Sequence, residues 1–190
     1  MGTSKRTIST LLITTAAVLT GVLALTRAGS GDPTGFTRDQ VVRGRYLVTA
    51  AAGCAHCHGG ANPADAQWLA GRTQPMTVMG FKVYASNQTP DATGLGNWTP
   101  QQLFDSMKLG KDDQGAYLAP PMPWPAYRDL TDQDLWAIVA YLRSVKPVHN
   151  QLPASQGPPG GPGGEPDWSG PYKDLQPLPP YPAGNEVEVK

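Results

Sequence analysis

The chain has 190 residues, equal numbers of acidic and basic side chains, and 22 Gly with 20 Pro. That length allows one ordinary domain, and so much Gly and Pro keeps a large part of it out of regular structure. A formal net charge of zero argues against a nucleic-acid-binding surface and against strong electrostatic steering of a partner.

The first segment reads as a membrane address. Lys5 and Arg6 precede an uncharged run from Thr7 to Thr26, closed by Arg27. Twenty such residues are just enough to span a bilayer as a helix. No clean small-residue cleavage site follows, so residues 1–27 are expected to be an uncleaved anchor with Lys5 and Arg6 in the cytoplasm. The alternative is a cleaved signal that releases a soluble periplasmic protein. Either way the rest of the chain is exported. Residues 28–36 form a Gly, Ser, Asp and Pro linker; the ten residues from Arg27 to the first helix signal reach at most about 35 Å. A retained anchor therefore keeps the following domain near the membrane.

Thr37 with Gln40 forms a capping box that opens a helix carrying Val41, Val42, Tyr46, Leu47 and Ala50. Gly44 inside it costs about 1 kcal/mol relative to Ala, which implies close packing. The last helix is expected to cross there, with Trp136 or Tyr141 nearby.

Cys54-Ala55-His56-Cys57-His58 follows. Cys-x-x-Cys-His is the attachment signature of a c-type haem. On a helical turn, Cys54, Cys57 and His58 emerge on one face, so one short element can hold the porphyrin edge by two thioethers and the iron by an imidazole. These are the only cysteines, so one haem c is expected. A structural zinc site needs four ligands, and only His56, His58 and the distant His149 could join the pair, without a second half-motif. A thioredoxin-like pair lacks its strand-to-helix setting, and a plain disulfide leaves His58 unexplained. His56 is expected to point away from the iron and His149 to lie on the surface.

Thr99, Pro100 and Gln102 repeat the capping signal for a second helix, with Leu103, Phe104 and Met107 apolar and Gly110 as its stop. Trp98 just before it could reach a haem propionate through its indole N–H, or simply pack on the pocket wall. Of the internal methionines, Met76, Met79, Met107 and Met122 compete for a sixth iron ligand. Met107 reads as core, whereas Met122 sits in Ala119-Pro120-Pro121-Met122-Pro123, a stiff loop able to aim a thioether at a fixed point. Thr131 caps the clearest helix, in which Leu135, Ile138, Val139 and Leu142 recur at helical spacing before Pro147 ends it.

With no persistent two-residue alternation, residues 37–150 read as an all-α haem domain. Residues 151–190 are rich in Pro and Gly and are expected to form a flexible or polyproline-like tail. Its aromatic residues Trp168, Tyr172 and Tyr181 could dock on the domain or on a partner.

This order of parts resembles class I cytochrome c, most closely the cytochrome c domains of membrane-bound alcohol and gluconate dehydrogenase cytochrome subunits. The resemblance is carried by Arg43-Gly44-Arg45-Tyr46-Leu47, Asn87-Gln88-Thr89-Pro90-Asp91, Thr93-Gly94-Leu95-Gly96-Asn97-Trp98-Thr99, Pro121-Met122-Pro123 and Leu130-Thr131-Asp132. It covers about Arg38 to Val148 and implies the small helical cytochrome c fold with His58 and Met122 as axial pair. Those subunits commonly carry three haem domains, whereas this sequence has one motif. The expected function is that of a mono-haem electron carrier at the outer, periplasmic face of a bacterial inner membrane, exchanging electrons with redox partner proteins in or at the membrane. The alternative is a dedicated cytochrome subunit of a larger dehydrogenase, oxidase or other complex; a haem sensor with an open sixth site is a more distant one. The protein itself is expected to be an electron-transfer protein rather than an enzyme.

Overall fold

A computed structural model describes Met1, Gly2 and residues 35–188. The expected membrane anchor, residues 7–26, lies outside the described residues. Among the described residues no helix is long and apolar enough to cross a membrane.

The domain is mostly helical. Helix α1 (Arg38–Tyr46) begins at a complete capping box between Thr37 and Gln40. It continues as a wider π turn over Leu47–Ala51, in which the Ala52 N–H reaches back to the Leu47 carbonyl at 2.7 Å. Helix α2 (Ala55–His58) is one turn. Helix α3 (Pro100–Lys108) starts at the Thr99–Gln102 capping box with Pro100 at its first position. Helix α4 (Trp124–Tyr127) is again short, and α5 (Asp132–Ser144) is capped by the Thr131 hydroxyl, which accepts from the Asp134 N–H.

The all-α expectation needs one correction. Met76–Val78 (β1) and Phe81–Val83 (β2) form an antiparallel hairpin, with Met76 opposite Val83 and Val78 opposite Phe81. Three residues per strand are too few to show a two-residue alternation, so the pattern is invisible in the sequence.

Helices α1 and α5 cross at Gly44. A Cβ on Gly44 would lie 1.8 Å from the Ala137 carbonyl oxygen and 2.8 Å from Tyr141 Cβ. Only glycine permits that approach. Tyr141 is thus one neighbour of Gly44, as expected, while Trp136 instead stacks on Phe104 of α3 at 4.8 Å. Arg43 reinforces the crossing through a paired contact with Asp134, its Nε 2.8 Å from Oδ1. The core between α1, α3 and α5 holds Leu47, Val48, Leu103, Leu135, Ile138 and Val139, all buried.

A buried polar network fixes the wall between α2 and α3. Asn87 is 1% exposed and satisfies its whole amide: Nδ2 donates to Thr93 Oγ1 (3.1 Å) and to the Val148 carbonyl (2.8 Å), while Oδ1 accepts from the Thr89 N–H and hydroxyl (2.9 and 2.8 Å). Thr89 Oγ1 and Thr93 Oγ1 in turn accept from the backbone N–H groups of Val148 and Asn150, each at 3.0 Å. The loop that follows α2 is thereby stitched to the chain that leaves α5.

Residues 151–188 contain little regular structure, only single 3-10 turns at Pro162–Gly164 and Gly170–Tyr172, as their composition predicts. They are nevertheless packed. Trp168 is 2% exposed, and Tyr172 lies 4.8 Å from the Trp124 ring. The expectation of a flexible tail overlooked how tightly this segment lies against the domain.

Candidate haem site

The π turn delivers the chain to Gly53, whose φ of +59° bends it into α2. The backbone of α2 closes tightly: the N–H groups of Cys57 and His58 both reach the Cys54 carbonyl, at 3.3 and 2.9 Å. Cys54 and Cys57 are free thiols, each half-buried. Burial pushes the Cys54 thiol up to about 11. Tyr127 braces the turn from below, donating its hydroxyl to the Ala52 carbonyl at 2.7 Å.

The His58 ring is oriented from a distance in sequence. Its Nδ1 lies 2.7 Å from the Ser86 carbonyl oxygen, which can only accept, so Nδ1 carries the proton and Nε2 keeps its lone pair. Burial holds the imidazole below its ordinary value, opposed by this hydrogen bond, so the ring is neutral at pH 7. A neutral, oriented imidazole with a free Nε2 is the form that binds a metal, and the carbonyl behind it raises its basicity.

These groups open onto a cavity of about 680 Å³. It falls in the range that takes a cofactor-sized ligand. The candidates Cys54, Cys57, His58, Trp98 and Met122 all line it. Apolar side chains supply much of the remaining wall, among them Val83, Leu95, Leu103, Ile138 and Leu142. The residues present therefore fit a haem: two thiols and an imidazole on one short helix, a thioether loop, and an apolar slot between α3, α5 and the hairpin.

The competing methionines separate. Met79 is 71% exposed at the hairpin turn and does not line the cavity. Met107 does, but it is buried within the core of α3 as expected. Met76 reaches the wall from β1, and Met122 from the proline-flanked loop. His56 folds back on its own turn, Nδ1 2.9 Å from the Gly53 carbonyl. His149 is on the surface beside Asp91, 3.4 Å away. The Trp98 segment is pinned by Arg143, which donates to the carbonyls of Leu95 (2.9 Å) and Trp98.

Sequence reasoning missed Ser86, Tyr127 and the wall made by Leu152, Pro153 and Pro166, which Trp168, one of the tail aromatics that could dock on the domain, joins. Ser86 acts through a backbone carbonyl, which any residue type carries, so no side-chain signal could have found it.

The family model for cytochrome c matches residues 41–146. The chain belongs to the cytochrome c family. Membership implies covalently bound haem c and a role in electron transfer. The chain is 37% identical over 155 residues to the fructose dehydrogenase cytochrome subunit of Gluconobacter japonicus, covering 80% of this chain and 31% of that protein. It is 35% identical over 110 residues to the gluconate 2-dehydrogenase cytochrome c subunit of Pantoea cypripedii (57% and 24%). It is 33% identical over 110 residues to the cytochrome c subunit of the quinone alcohol dehydrogenase of Gluconacetobacter polyoxogenes (57% and 22%). This cytochrome c thus spans less than a third of the length of these relatives.

Proposed function

We propose that this cytochrome c is the electron-transferring subunit of a dehydrogenase complex and carries one haem c on Cys54 and Cys57, whose iron His58 and Met122 would hold. The observation that carries the reading is the cavity that His58, oriented by the Ser86 carbonyl, shares with the Met122 loop. The two cysteines of this sequence provide for one attachment. A bound haem c supplies one reversible electron, its iron alternating between ferrous and ferric, and a His/Met pair gives it a comparatively high potential.

The protein's own contribution is positional. Ser86 holds the His58 ring, Tyr127 holds the turn before Cys54, and apolar side chains form much of the wall that would surround the haem. The relatives named for fructose, gluconate and alcohol dehydrogenases support a sugar, sugar-acid or alcohol dehydrogenase as the electron donor. The site of action is the periplasmic face of the inner membrane, where residues 7–26 tether the domain.

Met122→Ala tests the ligand. The variant is expected to keep its covalent haem, lose the native spectrum and fall in potential; an unchanged spectrum and potential would refute the assignment. Purification from native membranes tests the assembly. A dehydrogenase subunit should co-purify in fixed ratio, and its substrate should reduce the haem. A monodisperse single chain with no such partner would favour a free-standing carrier instead.

A further inference from the structure

Residues 151–172 run along the haem cavity, whose wall includes Gln151, Leu152, Pro153, Ser155, Pro166 and Trp168. Leu152 fills the space beside Gly71, where a Cβ would lie 2.6 Å from it. The chain then follows the hairpin: the Tyr84 N–H donates to Ser155 Oγ (2.9 Å), and the Gln156 N–H donates to the Lys82 carbonyl (2.8 Å). Trp168 packs edge-on against Phe81, with centroids 5.9 Å apart, and Gly157 lies flat against its indole. Tyr172 does not itself line the cavity but reaches Leu118, which does. It donates its hydroxyl to the Leu118 carbonyl at 2.9 Å and sets its ring against Trp124.

Leu118 and Trp124 bracket the Met122 loop. Pro120, Pro121 and Pro123 have no N–H to donate, so this loop has few ways of being tied down by its own backbone. Its one internal bond runs from the Met122 N–H to the Ala119 carbonyl, at 2.9 Å. Beyond it, the Leu118 N–H donates to the Gly110 carbonyl (2.9 Å) and the Pro123 carbonyl accepts from the Ala126 and Tyr127 N–H groups (3.0 and 3.3 Å); Tyr172 adds a bond to the Leu118 carbonyl and a ring contact with Trp124.

We propose that residues 151–172 are a strap belonging to the haem pocket, anchored on the hairpin by Trp168 and on the Met122 loop by Tyr172, and that Tyr172 is a positioning residue for the sixth ligand. The inference rests on the proposed ligation by Met122. With the strap in place the Met122 loop is held where its thioether would ligate the iron. With Tyr172 removed the loop breathes, the thioether dissociates more often, and small ligands enter.

The test uses full-length holoprotein. Carbon monoxide association to the reduced protein and the midpoint potential are measured for the parent, Tyr172→Ala, Tyr172→Phe and Met122→Ala, with covalent haem content as control. Tyr172→Ala is expected to bind carbon monoxide at least tenfold faster than the parent and to have a lowered potential at unchanged haem content. Tyr172→Phe, which keeps the ring and loses the bond to Leu118, should fall between the two. Should Tyr172→Ala not accumulate as holoprotein, Tyr172→Phe decides by the same comparison. Parent-like rate and potential in the Tyr172 variants, beside fast binding by Met122→Ala, would overturn the strap alone. Parent-like binding by Met122→Ala would overturn the ligand reading, and the strap's hold on that ligand with it.

Discussion

Asn87 makes four hydrogen bonds from a side chain that water does not reach, and one of its partners, the Val148 carbonyl, belongs to the chain leaving α5. Truncation to Ala would strand the Thr89 N–H in a dry interior and leave the Val148 carbonyl only the longer bond from the Thr89 hydroxyl (3.3 Å), which costs about 1–3 kcal/mol. Denaturant unfolding of the Asn87→Ala holoprotein should show that loss as a lowered midpoint with an unchanged slope. The wall that carries Ser86, the residue before Asn87, would loosen with it. At this scale Cys54, Cys57 and His58 are legible because their geometry is confined to one helical turn. The hydrogen-bond partner of His58 is 28 residues further along the chain and is a main-chain atom, so its selection depends on the fold. Asn87 stood out through the family resemblance, but its role becomes physical only when Thr89, Thr93 and Val148 are seen around it.

The crossing of α1 and α5 concentrates its demands at two adjacent positions. Gly44→Ala would drive a methyl group into the Ala137 carbonyl and force the helices apart, at about 1–3 kcal/mol; thermal unfolding of the holoprotein should reveal it as a clear fall in Tm. Beside it, the Arg43 guanidinium holds the Asp134 carboxyl below its ordinary value of 3.8. Because the folded value lies below the unfolded one, the contribution is complete above the unfolded value and is lost as pH falls through the folded one. Asp134→Asn should therefore remove part of the pH dependence of stability below about pH 4, measured as a shallower acid-unfolding curve. The helix starts at Thr37, Thr99 and Thr131 were legible because capping is a local signal. The β1–β2 hairpin was not, since its stability comes from pairing across a turn and from the strap along its edge rather than from a pattern within either strand.

For the molecule as a whole, the composition of residues 151–190 correctly implies irregular structure, yet composition is an average and hides single anchors. Trp168 and Tyr172 are two residues in forty, and together with the hydrogen bonds at Ser155 and Gln156 they fasten the segment. Tethering also belongs to this scale. Replacing residues 1–27 with a cleavable signal is expected to move the haem protein from the membrane fraction to the soluble periplasm. Continued sedimentation with membranes would mean that a partner complex, rather than the anchor, retains it. The central claim is a closed pocket in which His58 and Met122 hold one haem between them, and the visible spectrum of the reduced protein with and without carbon monoxide at neutral pH tests it most directly. A closed six-coordinate site predicts the same spectrum in both samples; a prompt shift on adding the gas would show an open or weakly held sixth position and contradict the account.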